Sequence, residues 1–263
     1  MIRSAGIFLV TATHALCAQA GAVNDTGLQQ CYGTAATAVA CSATVGGDGG
    51  ENPRQDARYG RDAATAALQQ PKVGAGAAGF DFSKISNAGA TLPGTATLGS
   101  ASGDWGCTRD NVTGLIWEVK TTSGLRNAAH RYAWYSTNAQ SNGGNAGAVG
   151  SNTCAGTLDA APYNGQCNTS NYAAAVNAAA LCGFSDWRLP TRQELSTLVH
   201  AGGVTPTIDS AYFPNTGNDY HWSSATSAVD AASAWTVDFN DGAVHADKKS
   251  YEFFLIRLVR SQP

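Results

Sequence analysis

All six tryptophans fall between Trp105 and Trp235, and this asymmetry decides where the chain can build a core. Aromatic side chains bury large areas and dominate the energetics of packing. Residues 21–103 hold only Tyr32, Tyr59, Phe80 and Phe82 and are rich in glycine and alanine. A globular core is therefore expected within residues 104–263. Residues 21–103 read as a Gly/Ala-rich accessory region packed against it. In that region Asp56 to Leu68 (DARYGRDAATAAL) reads as a short helix after Gly60, and Val73 to Gly79 (VGAGAAG) as a flexible connector.

Residues 1–20 have the three zones of a secretory leader: Arg3, a short apolar run from Ala5 to Ala12, and the small-x-small site Ala18-Gln19-Ala20. The apolar run is too short to span a bilayer. Cleavage is expected after Ala20, with Ala22 as second choice. A lipid attachment at Cys17 fits poorly, because His14-Ala15-Leu16 lacks the small residues such a site wants. The chain has 16 basic and 19 acidic residues, and loss of Arg3 widens the acidic excess. No basic patch marks a nucleic-acid surface. No later stretch is long and apolar enough for a membrane span.

Removal of the leader also removes Cys17 and leaves six cysteines, an even number, which in an exported chain reads as disulfides. No C-x-x-C occurs, so thioredoxin-like and zinc-ribbon readings lack support. Six cysteines allow fifteen pairings. Proximity favours Cys31–Cys41 and Cys154–Cys167, leaving Cys107–Cys182.

The second half alternates element types. Leu115 to Lys120 (LIWEVK) reads as a half-buried strand with Glu118 and Lys120 outward. Residues 138–167 form a long Asn/Gly/Ser stretch, and loops of that length in a compact domain often serve function. Asn171 to Cys182 reads as an Ala-rich helix stopped by Gly183. A second helix is expected from Thr191, which forms a T-x-x-E capping box with Glu194, to Gly202. Asp241-Gly242 predicts a two-residue hairpin. That register pairs Phe239 with Val244, Val237 with Ala246, Asp238 with His245 and Thr236 with Asp247. Phe253 to Arg260 (FFLIRLVR) reads as a last buried strand. The expected class is α+β: two helices, short antiparallel sheets and long loops.

Three constellations bear on chemistry. Ser223 and Ser224 beside His221 resemble a nucleophile and base, but neighbours in a strand point to opposite faces. Neither G-x-S-x-G nor H-E-x-x-H is present, so a non-enzymatic role is expected. Asp238, Asn240, His245 and Asp247 offer oxygen and imidazole ligands. Calcium wants six to eight oxygens, so Asp219 or Asp230 would have to join, and a solvated cross-strand pair is the simpler reading. Calcium therefore stays an open cofactor. Trp134 and Tyr135, next to the Asn/Gly loop, are the aromatic candidates for stacking on a sugar. Trp235 is assigned to the core with Val237 and Phe239. Arg188 is expected buried and paired with Glu118 or Asp186. The candidate binding surface comprises Trp134, Tyr135, Asn138, Asn142 and Asn145, with Asp219, Asp238, Asn240 and His245.

Several segments, in order, resemble the Lcl C-terminal domain family over residues 104–263. They are Asp110–Glu118 (DNVTGLIWE), Asp186–Leu195 (DWRLPTRQEL), Pro206–Pro214 (PTIDSAYFP), His221–Ser224 (HWSS), Ala234–Val244 (AWTVDFNDGAV) and Ile256–Arg260 (IRLVR). Cys31-Tyr32 and Gly79–Phe82 resemble the leader region of longer exported members. The family is similar to the C-type-lectin-like fold of formylglycine-generating enzymes, and its members include end domains of bacterial surface adhesins. The resemblance thus implies an exported setting and glycans as partners. Two departures limit it. The last cysteine is Cys182, so the late cysteines of the formylglycine-generating enzymes have no counterpart. Trp235–Asp238 with Asn240-Asp241 only echoes the Trp-Asn-Asp motif of calcium-dependent lectins.

Together these readings point to an exported binding module, secreted, at the cell surface or in the periplasm. A structural component that self-associates in the envelope or in an extracellular filament is the alternative. Mass spectrometry of the protein recovered from its native host should find a chain that starts at Gly21, with all six remaining cysteines protected from alkylation until reduced.

Overall fold

A computed structural model describes residues 24–35, 37–67 and 71–261, so the expected leader lies outside the described residues. In chain order the elements are β1 (Cys31–Tyr32), β2 (Ala38–Val39), α1 (Asp56–Tyr59), α2 (Arg61–Ala66), β3 (Phe82–Ser86), β4 (Thr91–Leu92), β5 (Trp105–Asp110) and β6 (Leu115–Glu118). There follow α3 (Thr169–Ala178), α4 (Arg192–Ser196), β7 (Tyr220–Thr226), β8 (Ser233–Asp238), β9 (Val244–Lys248) and β10 (Val259–Ser261). The main sheet has the order β10-β6-β5-β3-β4, a second has β7-β8-β9, and β1-β2 form a small ribbon. All pairings within them are antiparallel. The class is α+β, with four short α-helices among the described residues rather than the two expected in the second half plus one before it. No helix among the described residues is long and apolar enough to cross a membrane.

The main sheet is buried on both faces near β6, and this overturns the reading of that strand as half exposed. Leu115 and Trp117 join a cluster with Phe80, Phe82, Phe213, Val237, Phe239 and Val259. Ile116 joins another with Tyr132, Trp134, Tyr172, Trp187, Trp222 and Phe254. Glu118 and Lys120 lie on the Ile116 side and are buried. A charge taken from water must be paired and hydrogen-bonded. The Lys120 ammonium stands 2.9 Å from Glu118 Oε1 and donates to the Tyr172 hydroxyl at 2.7 Å. The Tyr172 hydroxyl donates to Glu118 Oε1. Glu118 Oε2 accepts the Leu258 N–H at 3.0 Å, and buried Arg257 donates to the Glu118 carbonyl at 2.7 Å. Burial pushes the Lys120 amine down to about 8 and the Tyr172 phenol well above its ordinary range.

The boundary at residue 104 does not separate two structural layers. β3 pairs with β5 along its length, and Phe80, Phe82 and Ile85 are core residues. In the stretch before it the short helix expected after Gly60 is α2, and a further one, α1, precedes that glycine. The two proximity pairings and the remaining one form as disulfides, with Cα–Cα distances of 5.0 Å for Cys31–Cys41, 5.9 Å for Cys154–Cys167 and 6.4 Å for Cys107–Cys182.

Helix α3 starts two residues before the expected Asn171, because Asn168 caps it by accepting the Asn171 N–H at 2.9 Å. It ends at Ala178. The chain then turns through left-handed Ala180 and Cys182, held by the bridge to Cys107 and by the Trp187 indole on the Leu181 carbonyl. The capping box at α4 is present in both halves. The helix is only five residues long and stops well before Gly202, while Leu195 and Leu198 still pack inward.

The β8–β9 register is offset by two residues from the expected one. Val237 faces Val244 and Thr236 faces His245, so Asp238 does not lie opposite His245. Phe239 explains the offset. Its ring is buried, its carbonyl accepts the Thr207 N–H at 2.7 Å, and its N–H donates to the Asp219 carbonyl at 3.3 Å. Phe239 is thereby drawn out of the ladder into a longer turn closed by Asp238 N–H on the Ala243 carbonyl. An even offset keeps every side chain on its own face.

Two further readings are corrected. Trp235 is not a core residue: it is half-buried, with the Arg192 guanidinium 4.6 Å from its ring centroid. Arg188 pairs with neither Glu118 nor Asp186 but with Glu194, in a two-pronged contact at 2.8 and 2.7 Å. Asp186 instead holds Arg260 at 2.7 Å. Replacing Glu118 with alanine leaves Lys120 and Tyr172 buried without their acceptor. The expected cost is about 3–5 kcal/mol, read from the urea unfolding midpoint, and Glu118→Gln should cost less.

Candidate functional site

The sequence-predicted surface is divided by the structure into two places. The first is the loop after Trp134. Trp134 forms its floor: the residue is 1% exposed, and its indole N–H donates to the Ser223 carbonyl at 2.8 Å. It offers no open ring face for stacking, which corrects its place beside Tyr135 as a candidate for stacking on a sugar. The Lys249 ammonium lies 4.1 Å from the Trp134 ring centroid and donates to the carbonyls of Asn142 and Asn145 at 2.8 and 2.7 Å. Lys249 is buried, and burial lowers its pKa.

The three loop asparagines shape the backbone. Asn142 is buried and donates to the Ser136 carbonyl at 3.1 Å, while its amide oxygen accepts the Gly144 N–H. The oxygen of Asn145 accepts the Gly147 N–H, and that of exposed Asn138 accepts the Gln140 N–H. Gly147 is required at its position. Its φ is +84°, and a Cβ there would lie 2.1 Å from the Trp134 carbonyl oxygen. The Asn/Gly composition thus encodes a rigid turn system as well as polarity.

Tyr135 is half-buried and does reach the surface. Its N–H donates to Thr169 Oγ1 at 2.9 Å, and its carbonyl accepts from Thr169 Oγ1 and Ser170 Oγ at 2.8 and 2.6 Å. The start of α3 therefore fixes the Tyr135 backbone. Beside it opens a cleft of about 570 Å³ between the loop, α3 and the segment before α4. Its lining includes Tyr135, Ser136, Ser141, Ser170, Asn177, Arg188, Thr191 and Ser224, with Trp134 and Trp187 beneath. It holds one formal charge, Arg188, already paired with Glu194.

The second place is the turn end of the three-stranded sheet. Tyr220 pairs with Asp238 at that end, whereas Thr226 pairs with Ala234 and donates to the Ser141 carbonyl at the other. Six residues of strand separate the two ends by roughly 20 Å. Asp219, Asp238, Asn240 and His245 therefore do not share a site with Tyr135. Asp219 Oδ2 stands 3.5 Å from Arg131, and Oδ1 accepts the Tyr220 N–H. Asp238 is buried and accepts the Asn240 N–H at 2.8 Å, while Asn240 is exposed. His245 meets Tyr220 edge to face at 5.2 Å. The oxygen set sketched for calcium is not assembled here: among the described residues, no three His, Cys, Asp or Glu side chains stand close enough to hold a metal.

His221 and Ser223 each have their own partner. The ring Nδ1 of His221 lies 2.9 Å from the Asp219 carbonyl, an acceptor, so Nδ1 carries the hydrogen. Burial, then the nearby Arg257, hold this imidazole well below its ordinary pKa. Ser223 is buried and donates to the Trp235 carbonyl at 2.8 Å.

A family model described as the Lcl C-terminal domain matches residues 106–260, more than half of the chain. The chain belongs to this family. No curated protein and no solved structure matches it. Two of the quoted segments of the Lcl C-terminal domain contribute to the cleft, through Trp187, Arg188, Thr191 and Ser224, and the others build the frame. Asp110 accepts the N–H groups of Val112 and Thr113 in the β5–β6 turn. Asp209 accepts the Ala77 and Ala211 N–H groups, and Arg260, closing the last segment, is buried.

Tyr251 and Phe253 were missed. Phe253, read as the start of a buried strand, is 55% exposed, and Tyr251 is 39% exposed. Their spacing of two puts both rings on one side of an extended chain, the only local signal of their position.

Replacing Lys249 with methionine keeps the packing on Trp134 and removes both loop hydrogen bonds. Amide hydrogen exchange over residues 138–147 should accelerate at least tenfold, with little change at β5 and β6. Unchanged protection would show that the loop does not depend on Lys249.

Proposed function

We propose that this Lcl C-terminal domain protein is an exported, non-enzymatic binding module with a C-type-lectin-like fold. It acts at the bacterial cell surface or outside it and recognises glycans through the cleft beside Tyr135. One observation carries the reading: a rigidly framed polar cleft with an accessible phenol ring and several hydroxyl groups, and no uncompensated charge. A neutral polyhydroxyl ligand needs such a surface, since the ring packs on sugar C–H groups while hydroxyls and amides exchange hydrogen bonds with it. Three disulfides fit an oxidising compartment and tie the frame together. The acidic balance argues against a nucleic-acid partner.

Screening the full exported chain on a glycan array tests this. Wild-type protein should bind a defined subset of glycans. Tyr135→Ala should weaken that binding at least tenfold while its thermal transition stays in place. Absence of binding by folded wild type to every glycan would overturn the reading.

A further inference from the structure

A second cleft, of about 590 Å³, shares no lining residue with the one beside Tyr135. Its volume falls in the range of small-molecule sites. Three pinned segments wall it. The loop Thr121–Arg126 is folded back on itself by the Thr121 N–H on the Arg126 carbonyl at 3.0 Å and by the Thr121 hydroxyl on the Ser123 carbonyl at 2.8 Å. The turn Ala179–Cys182 is fixed by the bridge to Cys107 and by the Trp187 indole on the Leu181 carbonyl. The turn Leu98–Ser100 is held by the Asn87 amide, which donates to the Gly99 carbonyl at 3.0 Å.

The chemistry of this cleft is divided. Leu98, Leu125, Val176 and Leu181 give it an aliphatic wall, and no aromatic ring is among the described residues that line it. Arg126 is the one charged lining residue. Its Nη1 donates to the Gly106 and Val119 carbonyls at 2.9 and 2.7 Å, which fixes the guanidinium at the end of the β5–β6 pair. No carboxylate among the described residues pairs with it. A guanidinium has five N–H donors, so its Nε and Nη2 edge is left for a two-pronged contact.

The charges nearby leave a positive excess. Glu118 is the carboxylate that acts on buried Lys120 and Arg257, while Arg126 and Arg257 act on Lys120 with the same sign. Three cations thus share one carboxylate, whose oxygens are taken by Lys120, Tyr172 and the Leu258 N–H. Asp104, next to Gly99, does not line the cleft and accepts the Ala101 N–H at 2.9 Å. The carbonyls after α3 are used within their own turn: that of Asn177 accepts the Ala180 N–H, and that of Ala180 accepts the Gly183 N–H.

We propose that this cleft binds a small aliphatic carboxylate, its head on the Arg126 guanidinium and its hydrocarbon chain against Leu98, Leu125, Val176 and Leu181. The anion offsets the positive excess, and the chain leaves water for a wall that offers no ring to stack on. A neutral chain of the same length lacks the first contribution, and a short carboxylate lacks the second. The assignment is independent of the glycan reading, which concerns the Tyr135 cleft.

Isothermal titration of the full exported protein with octanoate, with its neutral counterpart octanamide and with acetate tests the assignment. Octanoate should bind, and octanamide and acetate should each bind at least tenfold more weakly. Arg126→Gln should weaken octanoate at least tenfold and leave octanamide unchanged. Because Arg126 also bonds two carbonyls, a second variant spares it. Ala179 is exposed, lines the cleft and has helical backbone angles that accept a larger residue. Ala179→Trp should therefore fill the cleft and abolish octanoate binding with an unchanged thermal transition, and it decides the matter alone if Arg126→Gln does not fold. Tyr135→Ala should leave octanoate binding in place. No octanoate binding, equal affinity for octanoate and octanamide, or binding untouched by Ala179→Trp overturns the proposal. Octanoate binding lost with Tyr135→Ala and kept with Ala179→Trp places the carboxylate in the other cleft, which overturns it as well and leaves the glycan reading to its own test.

Discussion

A single buried carboxylate, that of Glu118, is the point on which the two halves of the domain meet. It sits where β6 is covered on both faces, so none of its lone pairs can be left to water. Lys120 from just beyond the same strand, Tyr172 from α3 and the Leu258 N–H from the last segment all converge on it. Arg257 braces the same residue's carbonyl and reaches Thr216 at 2.6 Å. Each partner comes from a different part of the chain, so the group can be satisfied only when the sheet, the helix and the C-terminal segment are all in place. A half-made network of this kind costs more than an apolar core, which ties these elements to one arrangement.

Outward from that centre the structure trades hydrophobic burial for local pins. The chain from residue 121 to 168 has no helix or strand of its own among the assigned elements. It is held instead by the Cys154–Cys167 bridge, by asparagine side chains that replace ladder hydrogen bonds, and by Lys249 beneath the loop over Trp134. Such pins let a loop remain polar outside and still keep one shape. A surface that must meet a ligand without ordering itself first gains affinity from that stiffness, because the entropy of ordering has already been lost in folding.

The candidate residues read from the sequence fall at opposite ends of the three-stranded sheet, Tyr135 near one and Asp219, Asp238, Asn240 and His245 at the other. The Tyr135 cleft is concave, rich in hydroxyls and close to electrically neutral. The other end carries carboxylates around Tyr220. Strand length sets their separation.

Much was legible in the sequence where the signal is local or compositional. The capping box of Thr191 and Glu194 needs only residues three apart, and it forms. Tryptophan distribution located the core, short cysteine spacings anticipated two bridges and left the third, and the ordered segments from Asp110 to Arg260 marked the family. The sheet, the partner of Arg188, the β8–β9 offset and the fate of the aromatic rings were decided elsewhere. Alternation in LIWEVK cannot say that a second face is also covered, so Glu118 looked exposed. The Asp-Gly turn signal was outweighed by Thr207 and Asp219, which draw Phe239 from the ladder. Trp134 was buried by Lys249 and Ser223, residues about a hundred positions away, and Phe253 was left outside while its neighbour Phe254 filled the core. Burial is a property of what lies across from a residue, and a linear pattern records only what lies beside it.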